Sequence, residues 1–278
     1  MRTVLTIAGS DSIAGAGIQA DLKTFAALGV YGVSALTAVT AQNTTGVTEI
    51  FALSPEIVRG QIDQVAQDVD IAAVKTGMLA TAEIVHVVSE ALGRFQRLNL
   101  VVDPVMAAGR LRQGFGEPGL DAGRTLLAPE AVSILKTRLL PLATVVTPNV
   151  AEAAALCDIQ VDSIGSAREA ARRIAGLGVA AVVIKGGHLS GPQAIDLLFH
   201  DGVFTELEAP RVDLAAIHGT GCTFASAIAA GLALGDDVPG AVRRAKRYIT
   251  GAIEQSFAIG HGARILNHFW DQPSPRTL

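Results

Sequence analysis

Short apolar runs alternate with longer stretches of helical periodicity along most of the chain. The runs predicted to form strands are 3–8, 33–39, 47–53, 71–75, 100–103, 143–146 and 180–185. Helical periodicity is found between them, at 17–28, from Pro55 onward, and at 82–95, 129–139, 152–156 and 166–177. This alternation predicts an α/β fold with a central, mostly parallel sheet and helices on both faces. The pattern leaves open whether the short strand 47–53 belongs to that sheet or lies outside it.

The second half of the chain adds three features to this alternation. Strands at 195–199 and 203–207 flank Asp201-Gly202, which predicts an antiparallel hairpin. Two helices follow, one from Cys222 and one at about 238–257. Before them, residues 109–123 contain five glycines and a proline, which predicts a loop. Because no linker or internal repeat divides the chain, we expect one domain over residues 1–278.

Composition and charge restrict the class of protein. Only 17% of residues are charged and the formal net charge is −4, so a broad basic surface for nucleic acid is not expected. The two cysteines, Cys157 and Cys222, have neither disulfide-framework nor metal spacing, which suits a reducing cytosol. Neither a signal peptide nor an 18-residue apolar span is present, so we expect a cytoplasmic protein with no membrane partner.

A glycine-rich loop before the first closing helix is the main candidate for chemistry. Gly219 and Gly221 flank Thr220, Cys222 follows, and an Ala-rich helix is predicted to end near Gly235. A helix N-terminus carries unpaired N–H groups and binds anions, so this loop predicts a phosphate site. The same position is expected to lower the pKa of Cys222 and make it a base for a substrate hydroxyl. The alternative is an ordinary glycine turn with Cys222 as a small core residue.

Polar residues after other predicted strands extend this candidate site. An unpaired Lys185 at the end of a buried strand would be costly, which favours an anionic ligand. Asn149 and Glu152 are three residues apart, and Glu152 suits Mg²⁺, helped by Asp103. The alternatives are an ordinary helix cap for Asn149 and Glu152, a solvated strand-end lysine for Lys185, and a turn for Asp103.

Further residues in the same region suit a planar heterocycle. Gln42 offers a hydrogen-bond donor and acceptor, and Met78 offers an apolar wall; a turn and core packing are the alternatives. Residues 15–20 fit the dinucleotide pattern G-x-G-x-x-A, but no acidic residue ends the second strand to bind a ribose. Ligands of parallel sheets bind beyond the carboxyl ends of the strands, where all these residues are predicted to lie. Anion loops, a lysine, acids and a candidate base together indicate phosphoryl transfer.

The chain resembles the hydroxymethylpyrimidine and phosphomethylpyrimidine kinases of thiamine biosynthesis, within the ribokinase-like superfamily. The resemblance covers nearly the whole chain and rests on TIAGSDSIAGAGIQADLKTFAALGVYG, SALTAVTAQNTTGV, KTGML, VVDPVM, TPNVAEAAAL, KGGHL and HGTGCTFASAIAA. It implies a ribokinase-like α/β fold. It also implies that Mg-ATP phosphorylates 4-amino-5-hydroxymethyl-2-methylpyrimidine and then its monophosphate.

The resemblance also implies roles for individual residues. Gln42 would bind the pyrimidine, beside Gly9, Asp21, Met78 and Val105. The anion hole would be Gly219, Thr220, Gly221 and Cys222, with Cys222 at the position of an aspartate base in sugar kinases. Lys185 would bind ATP phosphate, while Asn149 and Glu152 would organise magnesium.

Two segments depart from the family pattern. Ile13-Ala14 replaces the usual Ser-Gly or Gly-Gly, and residues 107–125 are about a dozen longer than the usual segment with Lys-Ser-Gly-Asp. The longer segment lacks that lysine, which leaves the phosphate of the second substrate without its usual contact. We hypothesise that Arg110 or Arg112 makes the contact instead, because guanidinium binds phosphate in bidentate fashion. The alternatives in function are a pyridoxal kinase on the same scaffold and a non-catalytic, ligand-sensing relative. The strand 47–53 is a candidate lid or homodimer contact.

Overall fold

The computed structural model describes residues 1–95, 98–106, 127, 129–186, 193–212 and 216–272. Its strands are β1 (Thr3–Asp11), β2 (Tyr31–Gln42), β3 (Val47–Ala52), β4 (Ile71–Thr76), β5 (Leu100–Val102), β6 (Val145–Val146), β7 (Ala181–Ile184), β8 (Gln193–His200), β9 (Val203–Pro210), β10 (Ile217–His218) and β11 (Arg264–Ile265). Its helices are α1 (Gly17–Ala27), α2 (Pro55–Asp68), α3 (Ala82–Leu92), α4 (Pro129–Ile134), α5 (Val150–Cys157), α6 (Ile164–Ala175), α7 (Thr220–Leu234) and α8 (Val238–Glu254). A π-helical turn, Leu135–Leu139, and a 3₁₀ turn, Leu140–Leu142, continue α4.

Within those described residues, β1–β9 form one sheet in the order β3-β2-β1-β4-β5-β6-β7-β8-β9. The neighbours from β2 to β7 are parallel, while β3, β8 and β9 run antiparallel to their neighbours. The mostly parallel sheet predicted from the alternation is therefore confirmed. The short strand that the pattern left unassigned is β3, which forms an edge of this sheet through the end of β2.

Two apolar clusters cover the two faces of the sheet because side chains alternate along each strand. Val182 and Ile184 of β7 pack into the cluster with α2–α6, whereas Ala181 and Val183 pack into the cluster with α1, α7 and α8. All four side chains of β7 are buried, as predicted for a strand covered on both sides. Helices on both faces are thus confirmed.

Local signals account for several boundaries. Asp201 (φ 50°) and Gly202 (φ 75°) form the predicted turn between β8 and β9, with the left-handed angles of a two-residue hairpin. Pro55 lies in the first turn of α2 behind the Ser54 cap, and Gly235 (φ 99°) ends α7. The parallel pair β10–β11 was not predicted, since two-residue strands leave no periodicity. Across the described ranges, we find no helix with the length and apolar character that a membrane span requires.

Candidate active site

The glycine loop opens α7 as predicted, although the helix begins at Thr220 rather than Cys222. Gly219 is the N-cap with φ 88°, and the Thr223 N–H donates to its carbonyl at 3.0 Å. A Cβ on Gly219 would overlap the carbonyl oxygen of Gly15, so only glycine fits there. The loop is therefore packed against the β1–α1 connection, and the N–H groups of the first turn of α7 lack intrahelical partners.

Gly221 brings this loop directly against charged residues from the strand ends. A Cβ on Gly221 would lie 3.1 Å from Nζ of Lys185 and 3.6 Å from Oδ2 of Asp103. Asp103 follows β5 and Lys185 follows β7, so both extend from the carboxyl edge of the sheet. The predicted convergence of anion loop, lysine and acid at this edge is present in the structure.

Lys185 has acidic partners within the protein, so its burial alone does not require an anionic ligand, and the contact with ATP phosphate stays a prediction. Its Nζ lies 2.8 Å from Oδ1 of Asp103 and 3.9 Å from Oε2 of Glu152. Burial lowers the pKa of Lys185, but the charges of Asp103 and Glu152 outweigh burial and raise it. The lysine is therefore positively charged, and 17% of its side chain remains exposed.

Asn149 and Glu152 form a capping box at the start of α5, which confirms the helix-cap alternative. Oδ1 of Asn149 accepts the Glu152 N–H at 2.9 Å, and Oε2 of Glu152 accepts the Asn149 N–H at 2.7 Å. Burial raises the pKa of Glu152 to about 7, against the opposing charge of Lys185, and Asp103 raises it further. The cap does not use the whole carboxylate, so a second role for Glu152 stays a prediction.

Two carboxylates converging on one lysine form a donor set that suits magnesium. Mg²⁺ is usually held by one or two protein carboxylates, with waters and phosphate oxygens completing the shell. Asp103 and Glu152 supply those two groups. In the part of the chain that the structure describes, no cluster of three His, Cys, Asp or Glu side chains is placed to hold a metal. The residues fit a metal shared with a phosphate ligand.

A second buried lysine lies on β4, and sequence reasoning assigned it no role. Lys75 is completely buried, and its Nζ donates to both carboxylate oxygens of Asp21, at 2.9 and 2.8 Å. Thr6 and Ser226 also donate to Asp21, each at 2.6 Å. The signal was available, since a lysine follows the apolar run IAAV in a predicted strand.

This arrangement corrects the predicted contact between Asp21 and a pyrimidine. Asp21 is completely buried, and four hydrogen bonds from three side chains occupy its carboxylate. Asp21 therefore lies beneath the site, as the partner of Lys75. Burial lowers the pKa of Lys75, but the charge of Asp21 outweighs it and raises the pKa.

Cys222 lies in the first turn of α7, one turn before Ser226, and is partly exposed. Burial raises the pKa of its thiol to about 11, although Lys75 and the Gly17 N–H lower it, and Asp103 and Asp21 raise it further. The predicted lowering of this pKa is wrong, because desolvation of a thiolate outweighs the helix N-terminus and the lysine. The resting thiol is neutral at pH 7.

Four residues predicted for a heterocycle, Gly9, Gln42, Met78 and Val105, lie near the ends of β1, β2, β4 and β5. A Cβ on Gly9 would collide with Cε of Met78, so the backbone of β1 forms one wall against that half-buried side chain. Gln42 ends β2, and its amide contacts His218. Val105 is partly buried after β5, and its N–H donates to the Asp103 carbonyl at 2.9 Å.

The β1–α1 connection is organised by Asp11, another residue that sequence reasoning missed. Its carboxylate accepts the N–H groups of Ile13, Gly15 and Ala16 at 2.8–3.1 Å. Ala14 has φ 57°, a left-handed angle that glycine adopts without strain, so the departure from the family pattern carries a backbone cost. The predicted loop 109–123, Arg110 and Arg112 lie outside the described residues.

A glycine loop at a helix N-terminus, a charged lysine and two carboxylates, all at one edge of a mostly parallel sheet, define a kinase of ribokinase-like fold. Residues 11–267 match the model of the family described as phosphomethylpyrimidine kinase. The chain belongs to this family.

Relatives and solved structures agree with that assignment. The chain is 49% identical over 267 residues to the hydroxymethylpyrimidine/phosphomethylpyrimidine kinase of Streptomyces coelicolor, covering 96% of this chain and 94% of the relative. It is 48% identical over 266 residues to the thiamine biosynthesis bifunctional protein ThiED of Geobacter sulfurreducens, where it covers 96% of this chain but 52% of the relative. The pyridoxal kinase of Staphylococcus aureus in complex with AMP-PCP and pyridoxal superimposes with a TM-score of 0.86 at 34% identity, covering 98% and 95% of the two chains.

Proposed function

We propose that the protein phosphorylates the hydroxymethyl group of 4-amino-5-hydroxymethyl-2-methylpyrimidine, and then the resulting monophosphate to the diphosphate, in thiamine diphosphate biosynthesis. The names of the family and of its bacterial relatives support these substrates. The observation that carries the proposal is the placement of Gly221 against both Lys185 and Asp103. ATP is the phosphate donor of a kinase family, and two free cysteines fit a cytoplasmic enzyme.

The phosphates of ATP are assigned to the N-terminus of α7 and to Lys185. Gly219, Thr220 and Gly221 present backbone N–H groups at the positive end of a 15-residue helix. Lys185 is charged and partly exposed, so its ammonium can contact a phosphate while it remains near Asp103. Such donors stabilise the charge of the transferring phosphoryl group by about 3–4 kcal/mol each in well-studied sites.

Asp103 and Glu152 would hold Mg²⁺, with Asn149 fixing the orientation of Glu152 through the capping box. When bound, the ion supplies positive charge to the phosphate oxygens. Without it, Lys185 already neutralises part of the charge of both carboxylates.

Cys222 takes the proton of the substrate hydroxyl in this proposal. Because its pKa is about 11, only a small fraction of the protein carries the thiolate at neutral pH. Lys75 beneath it and Lys185 beside the loop favour that thiolate electrostatically. The rate is therefore expected to rise with pH well above 7.

The pyrimidine is assigned to the space bordered by Gly9, Gln42, Met78 and Val105. Gln42 supplies the polar contact, and Met78 lies along the backbone of Gly9 as an apolar wall. Asp21 does not contact the pyrimidine in this proposal; its carboxylate holds Lys75 in place.

Pyridoxal phosphorylation is the second candidate, since a pyridoxal kinase superimposes on 98% of this chain. ADP release from wild type should be measured with the pyrimidine alcohol, the pyrimidine monophosphate and pyridoxal at matched concentrations. We expect both pyrimidines to be turned over with higher kcat/KM than pyridoxal. Release with pyridoxal alone, or ligand binding without any ADP, would refute the proposal.

A further inference from the structure

His218 and Gln42 meet where the anion loop approaches the end of β2. His218 is the last residue of β10 and directly precedes Gly219, whereas Gln42 is the last residue of β2. Nε2 of His218 lies 2.9 Å from Nε2 of Gln42 and 2.8 Å from Oδ2 of Asp11. One ring nitrogen is therefore in hydrogen-bonding contact with both an amide and a carboxylate.

The carboxylate determines which atom carries the proton. Asp11 also accepts three backbone N–H groups, and an ionised carboxylate can only accept hydrogen bonds. Burial raises the pKa of Asp11, but the hydrogen bond and charge of His218 and the N–H groups of Ala16 and Ile13 outweigh burial and lower it. Asp11 is therefore ionised, and Nε2 of His218 carries a hydrogen and donates it.

A protonated Nε2 cannot accept a hydrogen bond from the NH₂ group of Gln42. The oxygen and nitrogen of a glutamine amide are distinguished by their partners rather than by shape. If the amide is turned by 180°, its oxygen accepts from the His218 ring, and its NH₂ faces Oγ1 of Thr40, 3.2 Å away. Thr40 already donates that hydroxyl hydrogen to the Ser10 carbonyl at 3.0 Å, so its oxygen is free to accept. His218 Nε2–H and one N–H of the Gln42 amide then have acceptors, and the second N–H of that amide is left for a ligand.

We propose that His218 is a positioning residue for substrate specificity: its Nε2–H, shared with Asp11, holds the Gln42 amide with the oxygen inward and one N–H directed at the substrate. Gln42 then donates to an acceptor nitrogen of the substrate ring. This inference rests on the proposed function, because the heterocycle is assigned to Gln42 there. It adds that the residue adjoining the phosphate loop sets which edge of the ring is recognised.

The packing of the loops keeps His218 in this position. A Cβ on Gly15 would collide with Cδ2 of His218, only 2.5 Å away, and the Gly15 N–H donates to the same Asp11 carboxylate at 3.0 Å. Gly219, the next residue, is packed against the Gly15 carbonyl. The His218 ring is therefore packed closely against the β1–α1 connection on the side of Gly15.

The tautomer of His218 is a direct test that needs no substrate. In ¹⁵N NMR of the histidine-labelled wild-type protein at pH 7.5, with the signal assigned by its loss in His218→Phe, we expect a proton on Nε2. An Nδ1–H tautomer with an unprotonated Nε2 would overturn the proposal, because Gln42 could then donate to the ring. Since the reading is made on wild type, it does not depend on the folding of any variant beyond the assignment.

A double-mutant cycle tests whether His218 acts through Gln42. His218→Phe is expected to raise KM for the pyrimidine alcohol about 10–100-fold, with kcat within a few-fold and KM for ATP unchanged, because an oriented hydrogen bond is lost. In a Gln42→Met background the same change should have little further effect. His86→Phe, on α3, is the control and should leave KM unchanged.

The outcomes separate this inference from the proposed function. An equal rise of KM in both backgrounds, or a loss in kcat alone, would overturn the positioning role. Failure of wild type to phosphorylate any pyrimidine would refute the proposed function. The role of His218 would then be decided by its tautomer and by the same double-mutant cycle, measured with whichever heterocycle the protein does phosphorylate.

Discussion

Lys75 is completely buried and Lys185 is partly exposed, so the two lysines differ in how much of each ammonium group is available to a ligand. Lys75 has no exposed surface, and it shares Asp21 with Thr6 and Ser226 in a closed cluster. Lys185 has 17% of its side chain exposed, and its Nζ lies near Asp103 and Glu152. Both lie close enough to Cys222 to affect its charge.

This difference separates a structural cation, Lys75, from the cation that we propose binds phosphate, Lys185. A buried charge that loses its partner is strongly destabilising, so the cluster of Lys75 and Asp21 keeps its contacts through a reaction cycle. Lys185 is partly exposed and lies near two acids, one of which has a pKa of about 7, so exchange of its partners for a phosphate would cost less. Stability is expected to depend mainly on the first lysine and turnover mainly on the second.

Lys75→Met should give the largest effect, a loss of about 3–5 kcal/mol in the free energy of unfolding, because Asp21 is left buried without its counter-charge. Urea denaturation followed by circular dichroism measures it. The double variant Lys75→Met/Asp21→Leu should recover most of the loss, since it removes both charges. A loss below about 1 kcal/mol for the single variant would show that the cluster does not carry this energy.

Lys185→Met should lower kcat by about 10²–10³-fold, the effect of removing one donor to the transferring phosphoryl group. Its loss of stability should be smaller than that of Lys75→Met, because Glu152 can take up a proton in place of the cation. Steady-state ADP release and urea denaturation measure the two quantities. Lys136→Met, in the π-helical turn, is the control and should leave both within error. Equal losses of stability for Lys75→Met and Lys185→Met would contradict the assignment of a structural role to Lys75 and a phosphate-binding role to Lys185.

Glu152→Gln tests the group of Lys185, Asp103 and Glu152 through the pH dependence of the free energy of unfolding. The pKa of Glu152 is about 7 in the folded protein against an ordinary 4.5, so the folded state binds more protons than the unfolded chain between these values. Wild-type stability from this group therefore falls as pH rises from 4.5 to 7, by at most about 3 kcal/mol. The glutamine can form the same capping box but does not titrate. The free energy of unfolding of the variant should therefore rise relative to that of wild type as the pH increases from 4.5 to 7.

Urea denaturation in EDTA at pH 5 and pH 8 measures that gain. Glu83→Gln, in the first turn of α3, is the matched control, because the pKa of Glu83 is lowered by its own N–H and by Thr81. A constant difference between wild type and Glu152→Gln at both pH values would mean that Glu152 is ionised throughout.

The same contrast shows how far the sequence predicts this molecule. Strand–helix alternation predicts the sheet, and glycines with a helix-forming run predict the loop at α7, because these signals are local. The pairing of Lys75 with Asp21, or of Asp11 with His218 across 207 positions, depends on which strand ends become neighbours. No local pattern contains that information.

The charge state of Cys222 could not be predicted for the same reason. A helix N-terminus is visible in the sequence and lowers a thiol pKa, but burial and the acids Asp103 and Asp21 act through tertiary contacts and raise it. The partner of Lys185 was missed because Asp103 lies 82 positions earlier. The motifs predict which residues lie at the carboxyl edge of the sheet, whereas the ionisation of those residues depends on tertiary contacts.

We propose that Cys222 accepts the proton of the substrate hydroxyl beside the glycine loop. The pH dependence of kcat/KM for the pyrimidine alcohol, measured for wild type and Cys222→Ala between pH 6.5 and 9.5, tests it most directly. With a thiol pKa of about 11, wild type should gain about tenfold per pH unit, while Cys222→Ala should be slower by ~10²–10⁴-fold at pH 9 and lack that slope. Full turnover by Cys222→Ala, or the same slope in both proteins, would contradict the account.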